Sequence, residues 1–165
     1  MRRRTLIGLT ATGIALLAGP AALSPTPILI WNATASVPIG LYRIGPRAPL
    51  RVGDLVLALH PPQAAAVLRN SLPPGVPLLK RVAATAGSTV CRVGPDVILD
   101  GRMVARAMPA DSLGRPLPAW SGCRRLPPGE VFLLNHTVPA SLDGRYFGGT
   151  PVDAILGKAV PLWTP

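Results

Sequence analysis

From Thr5 to Ala22 the chain carries no charged side chain, and further on the apolar residues fall into short runs broken by proline and glycine. Runs of this length, rich in Val, Leu and Ile and bounded by turn residues, predict strands. They lie at 41–44, 54–59, 76–84, 89–93, 97–99, 131–134 and 155–162. One helix is expected past the N-terminal segment, over 63–70. Turns are expected at Pro73-Pro74-Gly75 and Gly87, and Asp100-Gly101 is a hairpin signal. Residues 106–129 read as loop, 135–149 as irregular, and no internal repeat is visible. The pattern is that of a mainly β chain.

Composition sharpens this picture. The 21 prolines and 17 glycines exclude long helical bundles, while 48% hydrophobic residues exclude a disordered chain. A length of 165 residues suits one domain with a small insertion. The net charge of +10 comes from scattered arginines, apart from Arg2-Arg3-Arg4 and Arg124-Arg125. No basic helix, zinc-finger spacing or aromatic RNA-binding motif accompanies it, so no nucleic-acid partner is expected.

The three leading arginines and the apolar segment behind them form an export signal, either cleaved or retained as an anchor. Ala18-Gly19-Pro20-Ala21-Ala22 offers small residues for cleavage. Continuing to Trp31, the segment exceeds the ~20 residues of a membrane span and favours an anchor. The positive-inside rule then leaves the remaining chain across the membrane, in the exported compartment. There Cys91 and Cys123 would form a disulfide. With only His60 and His136 besides them, no metal site is expected.

Neither histidine lies near a serine elbow, which disfavours a Ser-His-Asp triad. Lysine is more informative, because Lys80 and Lys158 are the only two in a chain that otherwise uses arginine. In a strand, Lys80 shares a face with Leu78 and Val82. Burial there would lower its pKa toward that of a general base, a role closed to arginine. The plainer alternative is a strand-edge lysine reaching water. Ser36 follows the apolar segment by a few residues, in Asn32-Ala33-Thr34-Ala35-Ser36-Val37-Pro38-Ile39-Gly40-Leu41-Tyr42. It is either part of a juxtamembrane linker carrying an N-x-T sequon, or a nucleophile held at the bilayer surface.

That stretch, Lys80-Arg81-Val82 with Gly87, and Ser141-Leu142-Asp143-Gly144-Arg145-Tyr146-Phe147-Gly148 occur in order. Together they resemble the motifs of the type I signal peptidases, in the form found in the TraF branch that matures conjugative pilin precursors. Ser88 stands where many relatives have an acidic residue, and Asn135-His136 is all that remains of a longer segment of the housekeeping enzymes.

The resemblance implies a coiled, mostly antiparallel β-sheet with one N-terminal transmembrane helix. Residues 1–31 would be the anchor and 32–165 the peptidase domain, with a cap inserted at about 91–123. It implies a Ser36-Lys80 dyad without cofactor. Ser36 would be the nucleophile and Lys80 its base. Thr34 would assist the oxyanion, Ser141 would orient Lys80, and Asp143 with Arg145 would fix the loop. The expected partners are the bilayer and a pilin-like precursor with a membrane segment, cleaved after small residues. A pilin-cyclising transpeptidase on the same dyad and a non-enzymatic assembly factor are the alternatives.

Overall fold

The computed structural model describes residues 2–23, 27–61 and 75–165. Helix α1 (Arg2–Leu23) opens the chain. Strands β1 (Leu29–Asn32), β2 (Gly40–Gly45), β3 (Leu55–Ala58), β4 (Leu78–Ala84), β5 (Thr89–Val93), β6 (Asp96–Leu99), β7 (Arg102–Arg106), β8 (Gly122–Arg125) and β9 (Glu130–Leu133) follow. The chain ends with the short helix α2 (Gly144–Phe147), strand β10 (Thr150–Pro151), a 3-10 turn (Val152–Ala154) and strand β11 (Ile155–Trp163). The helix expected over 63–70 and the turn at Pro73-Pro74 lie outside the described residues.

Two antiparallel sheets result. The larger runs β1-β2-β11-β3-β4-β9-β10 and the smaller runs β7-β6-β5-β8. Register shifts in β4 at Val82/Ala84 and in β11 at Ile155/Gly157 curl the larger sheet. Val56, Ala58, Val82, Val131, Leu133 and Ile155 form a core on one of its faces. Val37, Tyr42, Ile44, Leu57, Leu79 and Ala159 cluster on the other. Ala84, Val90, Val97, Leu126, Phe132 and Leu134 join the two sheets. Cys91 and Cys123 sit directly opposite on β5 and β8 and are bridged, with an S–S distance of 2.03 Å. The Asp100-Gly101 hairpin forms as expected, with φ of 47° and 82°.

The apolar N-terminal segment does not run on to Trp31. Residues 29–32 are instead β1, paired with β2 from Leu29↔Arg43 to Asn32↔Gly40. Among the described residues no helix is long and apolar enough to cross a membrane. One strand also lies where no apolar alternation marks it. Every residue of β8 is exposed, and its strand form rests on pairing with β5. Asn135–Gly149, read as irregular, contains α2, capped by the Asp143 side chain.

Gly157 passes so close to β2 that a Cβ there would meet the Gly45 carbonyl and the Ile44 side chain. Gly157→Ala should therefore destabilise the domain by about 1–3 kcal/mol, seen as a thermal midpoint lowered by roughly 2–10 °C. An unchanged midpoint would show that the β2–β11 seam gives way freely.

Candidate active site

Two groups of side chains are built on neighbouring elements. The first is the loop after β1. Asn32 ends that strand buried, and its amide nitrogen donates to the carbonyls of Thr34 (2.8 Å), Val37 (3.1 Å) and Pro38 (3.0 Å). Its Oδ1 accepts from the Thr34 N–H (3.2 Å) and hydroxyl (3.0 Å). The Tyr42 hydroxyl donates to the same Pro38 carbonyl at 2.6 Å. Asn32 is thus the internal brace of residues 32–38, a role the sequon reading missed. Gly40 has φ of 150°, and a Cβ there would strike the Trp163 carbonyl. That explains a glycine two residues after Pro38.

Ser36 stands half-buried on this braced loop, its Oγ 3.3 Å from the Thr34 Oγ1. Because the Thr34 proton is directed to Asn32, the Ser36 hydroxyl is the donor of that contact. Ser36 opens onto a cleft of about 420 Å³ bordered by Ile30, Leu57, Pro77, Leu78 and Leu79.

The second group surrounds Lys80. This lysine is only 5% exposed, and its Nζ donates to the Ser141 Oγ at 2.8 Å. Burial pushes its pKa down to about 8. The nearby Asp143 carboxylate pulls the value up and the Arg145 guanidinium, with the smaller effect, pushes it down, while desolvation outweighs either. Asp143 and Arg145 are themselves buried, with Arg145 Nε 2.8 Å from Asp143 Oδ1 and its other arm 3.0 Å from Oδ2. Arg145 also donates to the carbonyls of Asn135 (3.0 Å), Val138 (3.1 Å) and Pro139 (2.8 Å). One side chain thereby folds the loop that carries Ser141.

Asn135 had no expected role. Its Oδ1 accepts from the Arg81 N–H at 3.1 Å and its Nδ2 donates to the Leu79 carbonyl at 3.2 Å, gripping β4 on either side of Lys80. Its own N–H donates to Asp143 Oδ2 at 3.0 Å. The spacing of Asn135 from the Ser-Leu-Asp-Gly-Arg stretch was the only signal available.

The structure therefore brings Lys80, Ser141, Asp143 and Arg145 together, and Thr34 with Ser36. Among the described residues no hydrogen bond joins Ser36 to Lys80. Leu79 turns toward the cluster that contains Val37, whereas Lys80 lies opposite Val56 on the other face. The two groups meet at Leu78, which lines both the Ser36 cleft and a small cavity at Lys80.

The family model described as "Signal peptidase, peptidase S26" matches residues 1–163. The chain belongs to the peptidase S26 signal peptidases. Membership implies a serine peptidase. A conjugal transfer protein TraF of Agrobacterium fabrum (strain C58) is 36% identical over 81% of this chain and 81% of its own length. A second, from Agrobacterium tumefaciens (strain 15955), is 35% identical over 98% and 97%. A plasmid transfer protein TraF of Escherichia coli is 32% identical over 90% and 89%. A crystal structure of a signal peptidase I from Enterococcus faecalis V583 overlaps 67% of this chain and 96% of that one, at 19% identity and a TM-score of 0.41.

In this S26 chain the buried ion pair is the structural anchor of the lysine side. Asp143→Ala leaves Arg145 buried without its counter-charge and should destabilise the domain by about 3–5 kcal/mol. Urea unfolding measures this, and a change below about 1 kcal/mol would contradict the role given to the pair.

Proposed function

We propose that the chain is a Ser-Lys endopeptidase that processes exported precursors, with conjugative pilin as substrate. The observation that carries this reading is Lys80, a buried amine with its pKa near 8 and one N–H held by Ser141. Near neutral pH such an amine exists partly as the free base, which an exposed lysine does not. Ser36 is the hydroxyl nucleophile of the adjoining cleft, on a loop braced by Asn32.

In the proposed reaction the precursor lies extended across the cleft at Leu78, where the Ser36 and Lys80 groups adjoin, and its binding brings the two together. Catalytic hydrogen bonds commonly tighten only in the substrate complex. The Ser36 Oγ attacks the scissile carbonyl while the Lys80 amine takes its proton. The developing oxyanion is held by the Ser36 N–H, joined by the Thr34 hydroxyl once its proton turns from Asn32 Oδ1 to the substrate. Lys80 then gives the proton to the leaving amine, and a water molecule deacylates Ser36 by the same route.

The site of action in this reading is the outer face of the inner membrane. The exposed Leu6, Ile7, Leu9 and Ile14 of α1 and the exposed pair Trp31–Trp163, stacked at 5.6 Å, support it as apolar surface suited to a bilayer. The relatives' names, conjugal and plasmid transfer protein TraF, support a role in conjugation.

The test is the intact mass of a pilin precursor co-expressed with the wild type and with Ser36→Ala. A shortened product lost in the mutant is expected, and a product one water lighter than that would make the enzyme a cyclase. Equal processing by both proteins would contradict the reading. Lys80→Ala should lower kcat/KM by at least about 10³. Because the active base is the neutral amine, kcat/KM should be low below pH 7, rise through about pH 8 and level off above it. A pH-independent rate between 6 and 9 would exclude Lys80 as the base.

A further inference from the structure

Beside Lys80 lies a cavity of about 20 Å³. That is room for one water molecule. Lys80, Asp143, Thr150 and His60 contribute its polar lining, and Leu133 and Phe147 form apolar walls. His60 follows β3, where the Leu59 N–H is tied to the Ala154 carbonyl at 2.8 Å. Its Nδ1 is buried and has no hydrogen-bond partner among the described residues. A buried ring nitrogen without a partner is costly, and one water held by the few polar groups of this mostly apolar cavity would satisfy it.

We infer that His60 is a positioning residue for Lys80, acting through one buried water that links His60 Nδ1 to Lys80 Nζ. This rests on the Ser-Lys reading and adds a residue to it. A neutral amine has two N–H bonds and one lone pair. One N–H goes to Ser141 at 2.8 Å. The second goes to the water, which in turn donates to Nδ1 of the imidazole in its Nε2–H form. Thr150 offers the water a third partner. With both N–H bonds engaged, the lone pair is left for the Ser36 proton. Ser141 alone would leave the amine free to rotate about the Cε–Nζ bond, with its lone pair pointing elsewhere for much of the time. His60, Lys80 and Asp143 are the titratable groups lining the cavity, and the Asp143 oxygens are already occupied by Arg145 and the Asn135 N–H.

The test compares His60→Leu, which removes the acceptor, with His60→Asn, whose amide oxygen occupies the place of Nδ1. Both are assayed on a fluorogenic peptide spanning the precursor's cleavage site, beside Lys80→Ala. His60→Leu should lower kcat about tenfold, the order expected for one lost hydrogen bond at a desolvated group, with KM unchanged. The acid limb of its kcat/KM profile should move to lower pH, because the water stabilises the ammonium form. His60→Asn should recover kcat to within about threefold and return the limb to its wild-type position. Wild-type kinetics for His60→Leu beside an inactive Lys80→Ala would overturn the inference and leave the dyad standing. So would a His60→Asn as impaired as His60→Leu. Full activity in Lys80→Ala would remove the dyad and this inference with it.

Discussion

The chemistry of Lys80 depends on a salt bridge that lies one layer behind it. Asp143 and Arg145 are almost completely buried, and each satisfies the charge of the other. Arg145 spends its remaining donors on three backbone carbonyls, and Asp143 caps α2 and holds the Asn135 N–H. The loop so formed has two products. It sets the Ser141 hydroxyl against Lys80, and it sets Asn135 across the Leu79 and Arg81 peptides. A lysine buried beside a lone aspartate would be held as an ammonium ion. Beside a neutralised pair it feels chiefly the loss of water, and its pKa falls. The ion pair thus creates the conditions for a neutral amine without becoming its partner.

The smaller sheet is tied into the same arrangement. Arg92 on β5, the neighbour of Cys91, is buried and has carbonyl partners in place of a carboxylate. It donates to the carbonyls of Arg145 at 2.7 Å, Gly94 at 3.1 Å and Pro118 at 3.2 Å. Trp120 donates to the Gly144 carbonyl at 3.1 Å, and Tyr146 accepts the Met108 N–H at 3.0 Å. The segment around 144–146 is therefore held by Arg92 from the smaller sheet and by Met108 and Trp120 from the connection between β7 and β8. The Cys91–Cys123 bridge, across directly paired strands, fixes the β5–β8 ladder that carries Arg92. A feature far from Ser36 in sequence in this way contributes to where Lys80 sits.

Most strands were legible because local cues agree with tertiary pairing. β5 begins and ends where alternation and turn glycines place it, and β6 needs only the Asp100-Gly101 hairpin to define its end. β1 was not, because Ile28-Leu29-Ile30-Trp31 extends an apolar run and periodicity cannot tell a strand from the end of a membrane segment. β8 was hidden for the opposite reason, since Gly-Cys-Arg-Arg has no apolar face. On the site, Lys80, Ser36 and the Ser141–Arg145 stretch stood out by motif order. Asn32 and Asn135 stood within motif segments but without a role of their own, and Arg92 was not singled out. Their work consists of hydrogen bonds to backbone groups, which leave no pattern of residue types in the chain. The offset between Ser36 and Lys80 is likewise a matter of which face of β4 each one meets.

The central claim is that burial lowers the Lys80 pKa far enough for part of the amine to be uncharged near physiological pH. The most direct measurement is an NMR titration of the lysine amines in the intact protein. With only two lysines, Lys158→Arg leaves Lys80 as the single signal. The account predicts a midpoint near pH 8. A midpoint at the ordinary lysine value of about 10.4 would contradict it.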